Sequence, residues 1–219
     1  MRPDLRLNAI VDPEHAGGHE LADLATRCAR GGATLVQLRD KHSETRVLVE
    51  EARAIKRSLT PFAVPFVVND RVDVAMAAGA DGVHLGQDDM AAEDARRLLG
   101  SNAIIGLSVK SVEEAERARL DLVDYIGSGG VYATSSKQQT NAPIGPAGLA
   151  RIVAVLRRRA PDLPVCGIAG IDVNNAGQVI AAGADGVAVI SALSLARDPQ
   201  AAARELRDII DAVLSKRGG

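Results

Sequence analysis

Short apolar runs rich in Val, Ile and Leu alternate along the chain with longer segments in which apolar residues recur at helical spacing. This alternation predicts βα units around a parallel sheet. Strands are predicted over residues 7–11, 35–38, 66–68, 82–85, 104–107, 125–127, 165–168 and 187–190, each followed by a helical pattern. Eight such units in 219 residues predict an α/β fold of the (β/α)8 type, a TIM barrel forming a single domain over residues 1–219. The usual length of that fold is about 250 residues.

Several element ends are legible. Ser111 opens a Ser-Val-Glu-Glu capping box with Glu114, and Pro199 suits a first helical turn. Gly31-Gly32, Gly79 and Gly183 follow helical stretches and precede strands, as C-caps do. The corner Ala78-Gly79-Ala80-Asp81-Gly82-Val83 recurs as Ala182-Gly183-Ala184-Asp185-Gly186-Val187, through internal duplication or through shared geometry. A doubly wound dinucleotide fold fits less well. Its glycine fingerprint would follow the first strand, where Asp12-Pro13-Glu14-His15-Ala16-Gly17-Gly18 stands instead. The long irregular segment, residues 132–148, is read as an active-site loop.

Composition narrows the function classes. With 47% hydrophobic and 25% charged residues the chain is globular, not disordered or collagen-like. Only 2% of residues are aromatic, Trp is absent and the net charge is −2, so neither a stacking platform nor a global positive field exists for nucleic acid. Cys28 and Cys166 belong to no metal-ligand or disulfide pattern, which fits a reducing compartment. The N-terminus lacks a signal-like apolar stretch, and the most apolar later stretch, residues 179–196, is interrupted by Asp185. A cytoplasmic protein with no membrane partner is expected, and a homo-oligomer is compatible with the sequence.

In a barrel of this type, chemistry sits at the C-terminal ends of the strands. Alternation along Gln37-Leu38-Arg39-Asp40-Lys41 points Gln37, Arg39 and Lys41 to one side, where the two cations suit an anion or form a solvated charge cluster. Asp70 after strand three and Asp88-Asp89 after strand four could hold Mg²⁺ beside a phosphate, or could cap the helices that follow. His84 is read as a hydrogen-bonded core histidine, since His15, His19 and His42 form no ligand-spaced set with it. Ser108 lacks a nucleophile elbow and is a contact residue. Thr134-Ser135-Ser136-Lys137 is hydroxyl-rich and ends in a cation, as a phosphate site or a solvated turn would. Gly170, after strand seven, and Ile190-Ser191, ending strand eight, lie where barrels build phosphate sites from backbone N–H groups.

Taken in order, these segments resemble the thiamine phosphate synthase family over nearly the whole chain. They include Asn69-Asp70-Arg71, Asp81 through Asp89, and Gly167 through Ser191. The resemblance implies a transferase joining hydroxymethylpyrimidine diphosphate to hydroxyethylthiazole phosphate, with small-molecule substrates and Mg²⁺. It implies that Gln37, Arg39, Lys41, Asn69, Ser108 and Lys137 contact the diphosphate substrate, with Arg39, Lys41, Ser108 and Lys137 the catalytic set. Asp70 and Asp89 would bind Mg²⁺. Thr134, Ser136, Gly170, Ile190 and Ser191 would hold the thiazole phosphate, and Leu38, Asp40 and Ser135 belong to the same binding segments. The chain departs from the family pattern at Ala169, where Gly is usual, at Ser136, where Thr is usual, at Lys110, where His is frequent, and at Gly130, where Pro is common. Two rivals remain: a thiazole tautomerase, which has little use for the carboxylate pair or for Arg39 and Lys41, and a non-catalytic phosphate-binding barrel.

Overall fold

The computed structural model describes residues 2–136 and 142–217. Eight parallel strands close into a barrel in chain order: β1 (Leu7–Val11), β2 (Leu35–Leu38), β3 (Phe66–Asn69), β4 (Gly82–Leu85), β5 (Ile104–Val109), β6 (Tyr125–Gly129), β7 (Val165–Ile168) and β8 (Gly186–Val189), which returns to β1. The outer layer consists of α1 (Leu21–Gly31), α2 (Thr45–Leu59), α3 (Val72–Ala78), α4 (Ala92–Leu99), α5 (Val112–Arg117), α6 (Gly145–Arg159), α7 (Ala176–Ala181), the short α8 (Ser191–Ser194) and α9 (Pro199–Arg217). Among the described residues no helix is long and apolar enough to cross a membrane.

Strand alternation sorts the core into two parts. Leu7, Ala9, Val36, Leu38, Phe66, Val68, Val83 and Ile105 pack outward with the helices. Leu35, Val67, Tyr125, Cys166 and Ala188 fill the barrel interior above Leu5. Because both faces are covered, the strands read as near-continuous apolar runs. Removing a large side chain from the outer layer, as in Leu38→Ala, would cost about 2–5 kcal/mol.

Three strands extend beyond their predicted ends. Asn69 pairs with His84, Ser108 with Gly127 and Gly129 with Ile168, so β3, β5 and β6 gain residues that, Val109 apart, are polar or glycine. Ladder bonds need only backbone, and an apolar run does not reveal them. β8 starts one residue earlier than predicted and stops at Val189, so Ile190 lies just past the strand as the residue preceding α8. The Ser111 hydroxyl caps α5 by accepting from Glu114 N–H at 3.1 Å. The Glu114 carboxylate accepts from Lys110 N–H at 2.6 Å instead of from Ser111, so only half the predicted box forms. Gly32 and Gly79 close α1 and α3 in the left-handed region, whereas Ala182 closes α7.

At the N-terminal rim one device recurs. Asp81, before β4, accepts from Phe66 N–H at 2.8 Å and pairs with Lys56 of α2 at 2.6 Å. Asp124, before β6, accepts from Ile105 N–H at 2.9 Å and pairs with Arg96 of α4 at 2.7 Å. Asp185, before β8, accepts from Val165 N–H at 2.9 Å and pairs with Arg157 of α6 at 2.5 Å. Before β2 the Thr34 hydroxyl takes the same place, accepting from Leu7 N–H at 3.1 Å. Asp124 does this without the Ala-Gly-Ala-Asp-Gly-Val letters, so shared geometry accounts for the repeated corner.

Candidate functional site

The C-terminal ends of the strands surround a cavity at the opposite rim. Its walls include Asn8 and Ile10 of β1, Gln37 of β2 with Arg39 just beyond, Asn69 of β3, His84 of β4 and Ser108 of β5. Thr134, Ser136, Gly170, Ile190 and Ser191 complete it on the far side, with Cys166 in the floor. Burial pushes the Cys166 thiol up to about 12, and that of Cys28 likewise, so both are neutral and neither is a ready nucleophile. Two polar atoms here are buried with no hydrogen-bond partner among the described residues, Asn8 Oδ1 and Ser136 Oγ. Such groups are costly in an apolar interior and are expected where a ligand completes them.

Arg39 is held by a residue the sequence reading did not single out. Its guanidinium pairs with Asp12, whose side chain is 1% exposed and whose other oxygen accepts from Glu14 N–H at 2.9 Å. A buried carboxylate thus aims the guanidinium before any ligand arrives. Asn175 plays a similar part across the cavity. Its side chain accepts from Asp172 N–H at 2.9 Å and donates to the Gly170 carbonyl at 2.9 Å, pinning the turn after β7.

The two carboxylates predicted for metal come within hydrogen-bond reach of each other beyond the ends of β3 and β4. Asp70 adopts a left-handed backbone, φ +61°, and its N–H donates to the His84 carbonyl at 2.8 Å. Asp89 closes a tight turn by accepting from Gly86 N–H at 2.7 Å. Neither caps a helix: the residues preceding α3 and α4 are Arg71 and Ala91, and neither helix receives a side-chain cap. Burial, then a hydrogen bond with Asp89, pushes the Asp70 carboxyl above its ordinary value despite the ammonium of Lys41, which pairs with it. Asp88, the alternative ligand, is exposed. Among the described residues the three-donor grouping compact enough for a metal is a different one, Asp12, Glu14 and His15, where Asp12 already answers Arg39.

The thiamine monophosphate synthase family model matches residues 7–193. The chain belongs to that family. A thiamine-phosphate synthase of Agrobacterium fabrum is 51% identical over 214 residues, 98% of this chain and 97% of the relative. One from Albidiferax ferrireducens is 47% identical over 95% of this chain and 93% of its own length. The solved thiamine phosphate pyrophosphorylase of Pyrococcus furiosus superposes with a TM-score of 0.84 at 38% identity, covering 97% of this chain and 98% of that one.

Not every residue of the family segments faces the cavity. Leu38 is fully buried among outward-facing residues, and Asp40 uses its carboxylate to accept from His42 and Ser43 N–H at 2.9 and 3.0 Å. Burial alone would raise the Asp40 carboxyl, but hydrogen bonds from the Ser43 side chain and then from these N–H groups hold it below its usual value. Alternation turns both side chains off the cavity, and they shape the strand and turn that present Arg39 and Lys41. Ser135 is exposed, whereas Ser136 is buried. Lys137 lies outside the described residues. The irregular segment ends earlier than residue 148, since α6 begins at Gly145. Ala169, where the family usually has Gly, takes φ +76° next to Gly170 at φ +66°. A Cβ on Gly170 would lie 2.4 Å from the Ala133 carbonyl oxygen, so glycine is required there by space as well as by backbone conformation.

Proposed function

We propose that the chain condenses hydroxymethylpyrimidine diphosphate with hydroxyethylthiazole phosphate, giving thiamine phosphate and diphosphate. The observation that carries this reading is the meeting of Asp70 and Asp89 beside Lys41 at the C-terminal ends of the strands. Two carboxylates driven together, with Arg39 aimed across the same rim, suit a substrate that brings several negative charges and a divalent cation. A tautomerase acting on a monophosphate alone has no use for that arrangement.

In this reading Gln37, Asn69 and Ser108 bind the pyrimidine substrate, and Arg39, Lys41 and Lys137 stabilise charge on the departing diphosphate. Thr134, Ser136, Gly170, Ile190 and Ser191 bind the thiazole phosphate, the unpartnered Ser136 hydroxyl supplying one hydrogen bond. Asp70 and Asp89 fit Mg²⁺, which when bound would supply positive charge to the leaving diphosphate. The carbon–oxygen bond to the diphosphate breaks, and the thiazole nitrogen then forms the new bond to that carbon. No protein nucleophile is needed, in keeping with the neutral thiols and with a His84 whose ring nitrogens meet the Tyr125 and Ser108 hydroxyls. The free, buried Cys28 and Cys166 support a cytoplasmic setting.

Mixing the protein with both substrates tests the reading. Thiamine phosphate and diphosphate should form with Mg²⁺ and cease to form with a chelator. A folded protein that binds thiazole phosphate yet yields neither product would overturn the transferase in favour of the tautomerase or the non-catalytic barrel.

A further inference from the structure

Three buried polar side chains form a line from the barrel axis to the cavity. The Tyr125 hydroxyl lies 2.9 Å from His84 Nδ1, and His84 Nε2 lies 2.9 Å from Ser108 Oγ. His84 and Ser108 line the cavity, while Tyr125 is wholly enclosed beneath it. Two glycines make the room. A Cβ on Gly106 would stand 2.1 Å from the Tyr125 ring, and one on Gly127 would stand 2.9 Å from the His84 ring.

Counting protons gives this line a direction. Burial pushes the Tyr125 phenol well above its ordinary value, so it keeps its proton, and among the described residues His84 Nδ1 is its acceptor. Nδ1 is then the bare nitrogen, and Nε2 carries the hydrogen that points at Ser108 Oγ. The opposite tautomer, or an imidazolium, would set N–H against O–H and leave a buried hydroxyl proton with no acceptor. Ser108 Oγ accepts from Nε2–H, so its own proton is left to donate, and the cavity is the space it faces.

We infer that Tyr125 and His84 are positioning residues that lock Ser108 as a one-way hydrogen-bond donor, selecting an accepting group on the substrate, an unprotonated pyrimidine ring nitrogen. This rests on the proposed pyrimidine substrate, but the protonation pattern itself does not. Two measurements separate them. Nitrogen-15 NMR of the unmodified protein, with the signals among four histidines assigned by their loss in His84→Gln, should show His84 near neutral pH as the Nε2–H tautomer. The Nδ1–H tautomer or an imidazolium would overturn the inference whatever reaction the protein performs. In turnover assays Tyr125→Phe should lower kcat/KM about tenfold, but less than about twofold when Ser108→Ala is already present. Equal losses in the two backgrounds would show that Tyr125 only supports the fold. If no thiamine phosphate forms at all, the function fails and the NMR result still decides the lock.

Discussion

At the N-terminal rim Asp81, Asp124 and Asp185 each receive a strand N–H and a cation, from α2, α4 and α6 respectively. At the C-terminal rim Asp70 and Asp89 instead face one another, Asp70 sits in a left-handed backbone, and Ser136 Oγ and Asn8 Oδ1 are buried without partners. Both rims are built from the same residue types on the same strands. They differ in whether the protein satisfies its own polar groups. The complete rim stabilises the fold, and the incomplete rim is shaped for groups that a ligand brings.

The comparison can be broken by substitution. Asp70→Ala or Asp89→Ala should lower kcat/KM by about 4 kcal/mol, roughly a thousandfold, while thiazole phosphate binding changes little. Equal losses in turnover and thiazole phosphate affinity would remove the metal assignment. Arg39→Met tests a place where the upper rim is internally complete. It leaves Asp12 buried and unpaired, so urea unfolding should show a loss of about 3 kcal/mol alongside the lost activity. At the other rim Asp185→Ala should cost about 2 kcal/mol of stability with kcat unchanged.

Two smaller effects sharpen the contrast. The Asp70 carboxyl is raised above 3.8 in the folded protein, so the native state holds its proton more tightly than the unfolded chain does. The stability this confers is present at acid pH and is lost as pH rises through the folded value. Mg²⁺ should therefore raise Tm more near neutrality than in mildly acidic buffer, and a pH-independent increment would count against Asp70 as the ligand. Ala169→Gly should stabilise by about 0.5 kcal/mol, the left-handed penalty of alanine less the extra entropy that glycine loses. Calorimetry would measure it.

The barrel was legible because parallel strands covered on both faces leave eight apolar runs with glycine corners between them. The cavity side of Gln37, Arg39 and Lys41 followed from alternation, which also turns Leu38 and Asp40 away although the motif carries them as a block. Asp12 escaped notice because nothing in one sequence says that a residue after β1 meets Arg39 across 27 positions. Asn8 is a single polar residue inside an apolar run, and only closure of the barrel shows that it faces the axis. The choice between metal ligand and helix cap for Asp70 and Asp89 likewise needed the loop geometry, which directs both carboxyls to each other.

The side-chain clamps at the lower rim join β1 to β2, β3 to β4, β5 to β6 and β7 to β8, whereas among the described residues the intervening seams are held at that rim by backbone bonds, such as Val36 N–H to Pro65 O at 3.0 Å. The barrel is in this sense four quarter-turn staves, each riveted internally and merely laid edge to edge with the next. Native-state amide exchange should show the staves opening as cooperative units, with the seams parting before the rivets.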